Sequence, residues 1–201
     1  MANHAPISIT HEPTNEEKET TRAQRSQWLR AAILGASDGL LSTTSLMLGV
    51  SAAKQDHRST IISGAAGAVA GAFSMAVGEF VSVSTQRDIE IAGREAKTAP
   101  TPKRLPNPVK AAAASGFAFV AGSLVPLLPG YFVKEYHVRV LALVIVASAA
   151  LVAFGGVGAR LGGSPSCVSA VRVLVGGWVA MGITYWMLKP LEKDDGRDLK
   201  Y

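Results

Sequence analysis

Charged residues are absent from long stretches of this chain and crowded between them. No Asp, Glu, Lys or Arg occurs at positions 31–37, 39–53, 59–78, 111–133, 140–159 or 173–188, and Asp38 alone separates the first two stretches. Runs of about 20 mainly apolar residues are the length a helix needs to cross a hydrocarbon core of roughly 30 Å. The pattern predicts an all-α fold: a polytopic membrane protein with five transmembrane helices near residues 31–53, 59–84, 110–130, 138–159 and 168–188. The alternative, a buried Ala/Gly-rich soluble domain, would have to place five such runs in the core of a 201-residue chain, which they would overfill.

The polar segments set the remaining organisation. Residues 1–28, rich in Thr, Glu and His, lack the apolar core of a signal peptide and are expected to form a disordered cytosolic tail. The membrane domain covers 29–188, with a short cytosolic connector at 85–107, and residues 189–201 form a polar C-terminal tail. If the N-terminus is cytosolic, twelve Lys and Arg lie on that side against eight on the other. That asymmetry favours a cytosolic N-terminus and a C-terminus on the opposite side. Of all residues 48% are hydrophobic and 17% charged, with a net charge of +5. In this topology the basic excess orients the chain and attracts anionic lipid, and it gives no support to nucleic-acid binding.

Two acids interrupt the apolar pattern. Asp38 sits in the first span and Glu79 in the second, with Met75 one helical turn before Glu79. An ionised group in hydrocarbon costs several kcal/mol unless it faces a partner, water or an ion. A thioether beside carboxylates suits a transition-metal cation better than Mg²⁺ or Ca²⁺. At 1.5 Å per residue, Asp38 lies about 12 Å inside the cytosolic face, Met75 about 13 Å and Glu79 about 8 Å, so the three share a level. Ser42 and Ser45, at i+4 and i+7 from Asp38, extend a polar stripe and are candidate path-lining residues. The competing reading has Asp38 capping a helix break or pairing with Arg30 or Arg87, Glu79 snorkelling to the interface and Met75 as an ordinary core residue.

Other features are better explained by packing. Gly67/Gly71, Ala118/Gly122 and Gly176/Gly177 place small residues where helices can approach closely in lipid. Pro126 and Pro129 fall near the end of the third span, where proline terminates or kinks a helix. Cys167 is the sole cysteine and reads as a packing residue. His4 and His11 lie in the tail and His57 and His137 in loops, so no base stands at membrane depth to activate a nucleophile, and the chain is not expected to be an enzyme. The connector from Gln86 to Lys97 mixes charges as a solvated helical face does, and is the place where a partner would dock.

Three segments together resemble the vacuolar iron transporter family: Ile33-Leu-Gly-Ala-Ser-Asp-Gly-Leu-Leu-Ser42, Ala70-Gly-Ala-Phe-Ser-Met-Ala-Val-Gly-Glu-Phe-Val-Ser82 and Val171-Arg-Val-Leu-Val-Gly-Gly177. With the Asn107-Pro-Val-Lys-Ala entry to the third span, the likeness covers residues 28–188 and is to the plant-type "vacuolar iron transporter homolog" or nodulin-like branch. The resemblance implies five transmembrane helices and a homodimer with its ion path along the dimer axis. It also implies a multi-pass protein of the vacuole membrane that exports Fe²⁺ or Mn²⁺ from the cytosol in exchange for protons. The metal is then cargo, and no resident cofactor is expected. The family's transport aspartate and methionine carry over onto Asp38 and Met75.

Two departures from the family bear on the ligand set. Full vacuolar iron transporters follow their second span with a long glutamate-rich cytosolic domain that gathers metal, whereas this connector holds only Asp88, Glu90 and Glu95 as acids. The family also places a glutamate two turns before its methionine, where this chain has Gly67; on our reading Glu79 supplies that carboxylate from the other side. Two carboxylates would neutralise a divalent ion, and their protonation at an acidic far side would release it. The alternative function is a non-transporting membrane scaffold or regulator, in which Asp38 is satisfied by internal pairing.

Overall fold

The computed structural model describes residues 15–95, 105–162 and 165–191. These form α1 (Asn15–Lys54), α2 (His57–Glu95), α3 (Pro108–Phe132), α4 (Tyr136–Gly162) and α5 (Ser166–Leu188), followed by a single 3₁₀ turn, Lys189–Leu191. All five helices are long and apolar enough to cross a membrane. The parts of the expected tails and connector at 1–14, 96–104 and 192–201 lie outside the described residues.

One boundary differs from the sequence expectation. α1 begins at Asn15, so the segment expected to be disordered up to residue 28 is helical over its second half. Hydropathy does not signal this, because residues 15–27 are polar; Glu, Lys, Gln, Arg and Ala are nevertheless strong helix formers. α2 likewise continues beyond its apolar part, through the mixed-charge stretch to Glu95.

Short connections make successive helices antiparallel. At one end lie the α1–α2 and α3–α4 hairpins and the end of α5; the other end holds the entry to α3, the α4–α5 turn and the Gln27–Gln86 side-chain hydrogen bond, 3.2 Å, between α1 and α2. We call the first the hairpin end and the second the connector end. Side chains that accept from exposed backbone N–H groups start several helices. Asn107 Oδ1 accepts from Lys110 N at 3.1 Å ahead of Pro108, and Asp56 Oδ2 accepts from Ser59 N at 2.7 Å before α2. Such caps satisfy donors that the helix itself cannot.

α1 is the central helix and packs against all four others. Its apolar residues Leu40, Met47 and Leu48 join Leu143, Ala147, Leu151 and Met181 in the core. The α1–α3 crossing is close enough to require glycine. A Cβ on Gly35 or Gly39 would collide with the carbonyls of Ser115 and Phe119, and one on Gly122 with that of Ala36. Backbone proximity of this kind is how helices gain packing where the surrounding lipid removes the hydrophobic drive. Thr43 Oγ1 bonds Ser123 Oγ at 2.9 Å across the same seam, and Ser123 Oγ also reaches the Gly39 and Phe119 carbonyls.

One packing expectation narrows and another changes. Helix α3 runs through both Pro126 and Pro129 to Phe132 without ending at either. Of the Gly176/Gly177 pair only Gly177 is packed, against Leu151 and Leu41, while Gly176 faces open space.

Candidate functional site

Asp38, Met75 and Glu79 line one groove between α1 and α2, about 500 Å³ in volume and open along its outer side. α1 contributes one row of residues four apart, Leu34, Asp38, Ser42 and Leu46, as the helical period requires. α2 contributes Gly67, Gly71, Ser74, Met75, Gly78 and Glu79, and Phe119 of α3 forms the floor. The three side chains expected to share a level therefore share a surface.

Local packing makes the space. Phe119 is almost wholly buried, and its ring occupies the position a Cβ on Gly71 would need. Leu46 comes up against Gly67, within 2.5 Å of where a Cβ would stand. An acid at position 67 would have to displace Leu46, which explains why that end of the groove is apolar here. A Cβ on Gly78 would meet nothing within 4 Å, so the wall beside Glu79 is open.

Among the described residues no cation neutralises the acids. Asp38 Oδ1 accepts a 2.9 Å hydrogen bond from Ser42 Oγ, and α1 is unbroken around it. Among the described residues neither Asp38 nor Glu79 has a cationic partner, so the pairing of Asp38 with Arg30 or Arg87 is not formed. Both acids are half-buried, with their remaining surface in the groove. Anionic oxygen donors and one thioether facing a shared opening can take a divalent cation with some soft character. Among the described residues no three His, Cys, Asp or Glu side chains gather into a metal-binding group.

Ser45 departs from its expected place. It is buried, is not part of the groove wall, and its hydroxyl has no hydrogen-bond partner among the described residues. One turn further along, α5 closes over α1, where Leu188 and Thr184 lie against Gly49. Ser74 and Leu46 are wall residues that the charge pattern could not select. Leu46 was accessible by extending the four-residue row from Asp38, and Ser74 by its place beside Met75. His57 and His137 stand at the hairpin end, away from the groove, with His57 Nε2 3.2 Å from the Tyr131 carbonyl.

Comparison with known proteins agrees with this architecture. The profile of the VIT family matches residues 29–101 and 91–189. "Vacuolar iron transporter homolog 2" of Arabidopsis thaliana is 54% identical over 177 residues, covering 86% of this chain and 90% of that protein. "Vacuolar iron transporter homolog 5" of Oryza sativa subsp. japonica is 53% identical over 174 residues, covering 85% and 84%. "VIT-like transporter 1b" of Glycine max is 50% identical over 176 residues, covering 83% and 77%. With a family profile spanning all five helices and half or more of the residues shared with relatives along most of their length, the chain belongs to the VIT family.

Proposed function

We propose that this protein carries ferrous iron, and also manganese, across the vacuole membrane from the cytosol, in exchange for protons. The observation that carries the reading is the convergence of Asp38, Met75 and Glu79 on one groove with no cation among the described residues to neutralise the acids. The names of its relatives, vacuolar iron transporter homologs, support iron as cargo and the vacuole as destination.

The chemistry follows from the ligands. Asp38 and Glu79 supply charge that offsets the ion's lost hydration, and Met75 supplies a soft donor that disfavours Mg²⁺ and Ca²⁺. A ligand must be deprotonated to hold metal, so protons arriving from an acidic compartment compete with the ion at the same oxygens. Exchange of one for the other is then the natural coupling. The Lys/Arg asymmetry supports a cytosolic N-terminus and connector and a lumenal C-terminus.

A second copy of the chain completes the site on this reading. The groove opens sideways next to the outward face of α2, where Phe73, Val77 and Val81 are exposed. A two-fold partner laid on that face would close the groove and double its acids.

The test is uptake of Fe²⁺ and Mn²⁺ into proteoliposomes with and without an opposing pH gradient. The account expects uptake of both metals, accelerated by an acidic interior. Absence of uptake under either condition would leave the scaffold reading in its place.

A further inference from the structure

A second feature, at the hairpin end and on the opposite side of α1 from the metal groove, has the make-up of a lipid site. Tyr136 and His137 at the start of α4, with Tyr185 and Lys189 at the end of α5, surround a cavity of about 400 Å³. Its wall shares Val140, Val144 and Tyr185 with an apolar groove of about 290 Å³ that descends between α4 and α5 past Trp178, Met181 and Gly182. A polar head space thus continues directly into an apolar channel.

The polar end is built to receive an anion. The Tyr136 and Tyr185 hydroxyls lie 3.3 Å apart, so two phenolic O–H groups meet at the mouth. The Lys189 ammonium stands 5.2 Å from the centre of the Trp186 ring and 5.9 Å from that of Tyr185, held at the groove entrance. No carboxylate among the described residues lines either cavity. A choline group would therefore find no acid, and the aromatic faces that would attract it are already covered by Lys189. Lysine and aromatic side chains at this level of a membrane protein sit where lipid phosphates lie.

We propose that this groove binds one phospholipid with a net anionic headgroup, its phosphate at Lys189 and the two tyrosines and one acyl chain between α4 and α5. The apolar half commits the site to a lipid rather than free phosphate, because its Leu48, Val144 and Met181 surface offers nothing to a water-soluble anion. The metal groove contributes nothing to this assignment.

Native mass spectrometry of the purified full chain, after exchange into mixed phosphatidylglycerol and phosphatidylcholine, tests it. The wild type is expected to retain phosphatidylglycerol in preference. Lys189→Gln should weaken that preference about fivefold, the effect of one basic residue near an anionic surface. Gly182 has no neighbour within 4 Å of an added Cβ, so Gly182→Leu should fold normally, fill the channel and expel the lipid. Unchanged circular dichroism and thermal unfolding would confirm its fold. Equal retention of both lipids by the wild type, undiminished binding by Gly182→Leu, or displacement of the lipid by glycerol phosphate at matched concentration would each overturn the proposal.

Discussion

The molecule holds charge among its helices in two ways. At the hairpin end Arg139 is fully buried, yet its guanidinium donates to the Lys134 carbonyl at 3.0 Å and to the Gln55 carbonyl at 3.1 Å, leaving only Nε without a partner. It thereby ties the α3–α4 hairpin to the α1–α2 hairpin, where Gln55 turns the chain at φ 52°. Asp56 stands beside it, and the Ser59 hydroxyl and backbone N–H hold its carboxyl below the usual carboxylate range, with a smaller contribution from the Arg139 charge. In the groove, by contrast, Asp38 has one serine hydroxyl and Glu79 has no hydrogen bond among the described residues. A charge kept for architecture is surrounded by its partners. The groove acids have no cationic partner among the described residues and line an open groove.

This contrast breaks most visibly at Asp38. Asp38→Asn keeps the side-chain shape and removes the charge, so metal uptake should fall by about 100-fold or more, since even groups one step removed from a metal are worth 10- to 100-fold. Thermal stability should be unchanged, because no cationic partner is lost. Glu79→Gln should act nearly as strongly, and the double variant should add little, as both act on one ion. Full uptake by Glu79→Gln would make it an interfacial residue. Arg139→Met should show the reverse pattern. Two carbonyls lose their donor, at about 1–3 kcal/mol each, so the unfolding midpoint drops while uptake per folded molecule is retained.

How much of this contrast was legible in the sequence depended on which property carried it. The five spans and the grouping of Asp38, Met75 and Glu79 followed from charge-free runs and helical rise, which are local properties. The Gly35/Gly39 seam was present as a pair of glycines four apart, but its partner, the α3 backbone at Ser115 and Phe119, is a matter of tertiary packing. The angle of Ser45 on α1 points to the groove, but the residue is buried inside the bundle, which no single-helix projection contains. Arg139 carried no signal of burial, since an arginine at the start of a span reads as a snorkelling side chain. The helical start at Asn15 was hidden because propensity, not hydropathy, determines it.

Smaller effects sharpen the same comparison. Met75→Leu keeps volume and loses the sulfur, so uptake of Fe²⁺ should fall modestly while exclusion of Mg²⁺ and Ca²⁺ weakens, read as competition in the uptake assay. Asp56→Asn should be the mildest change, since Asn caps a helix about as well as Asp. Because the folded Asp56 carboxyl titrates below its ordinary value, the stability it adds is fully present above about pH 3.9 and is lost only as pH falls through the lower folded value. Thermal unfolding of wild type and Asp56→Asn should therefore differ little near neutrality and converge further in strong acid.

Equilibrium binding of Mn²⁺ to the purified protein, followed by loss of the free-ion signal in electron paramagnetic resonance, tests the central claim most directly. The account predicts saturable binding by the wild type and by Arg139→Met wherever it is folded, and loss of that binding in both Asp38→Asn and Glu79→Gln. Undiminished Mn²⁺ binding in Asp38→Asn would contradict it, because the groove between α1 and α2 would then not be where the ion is held.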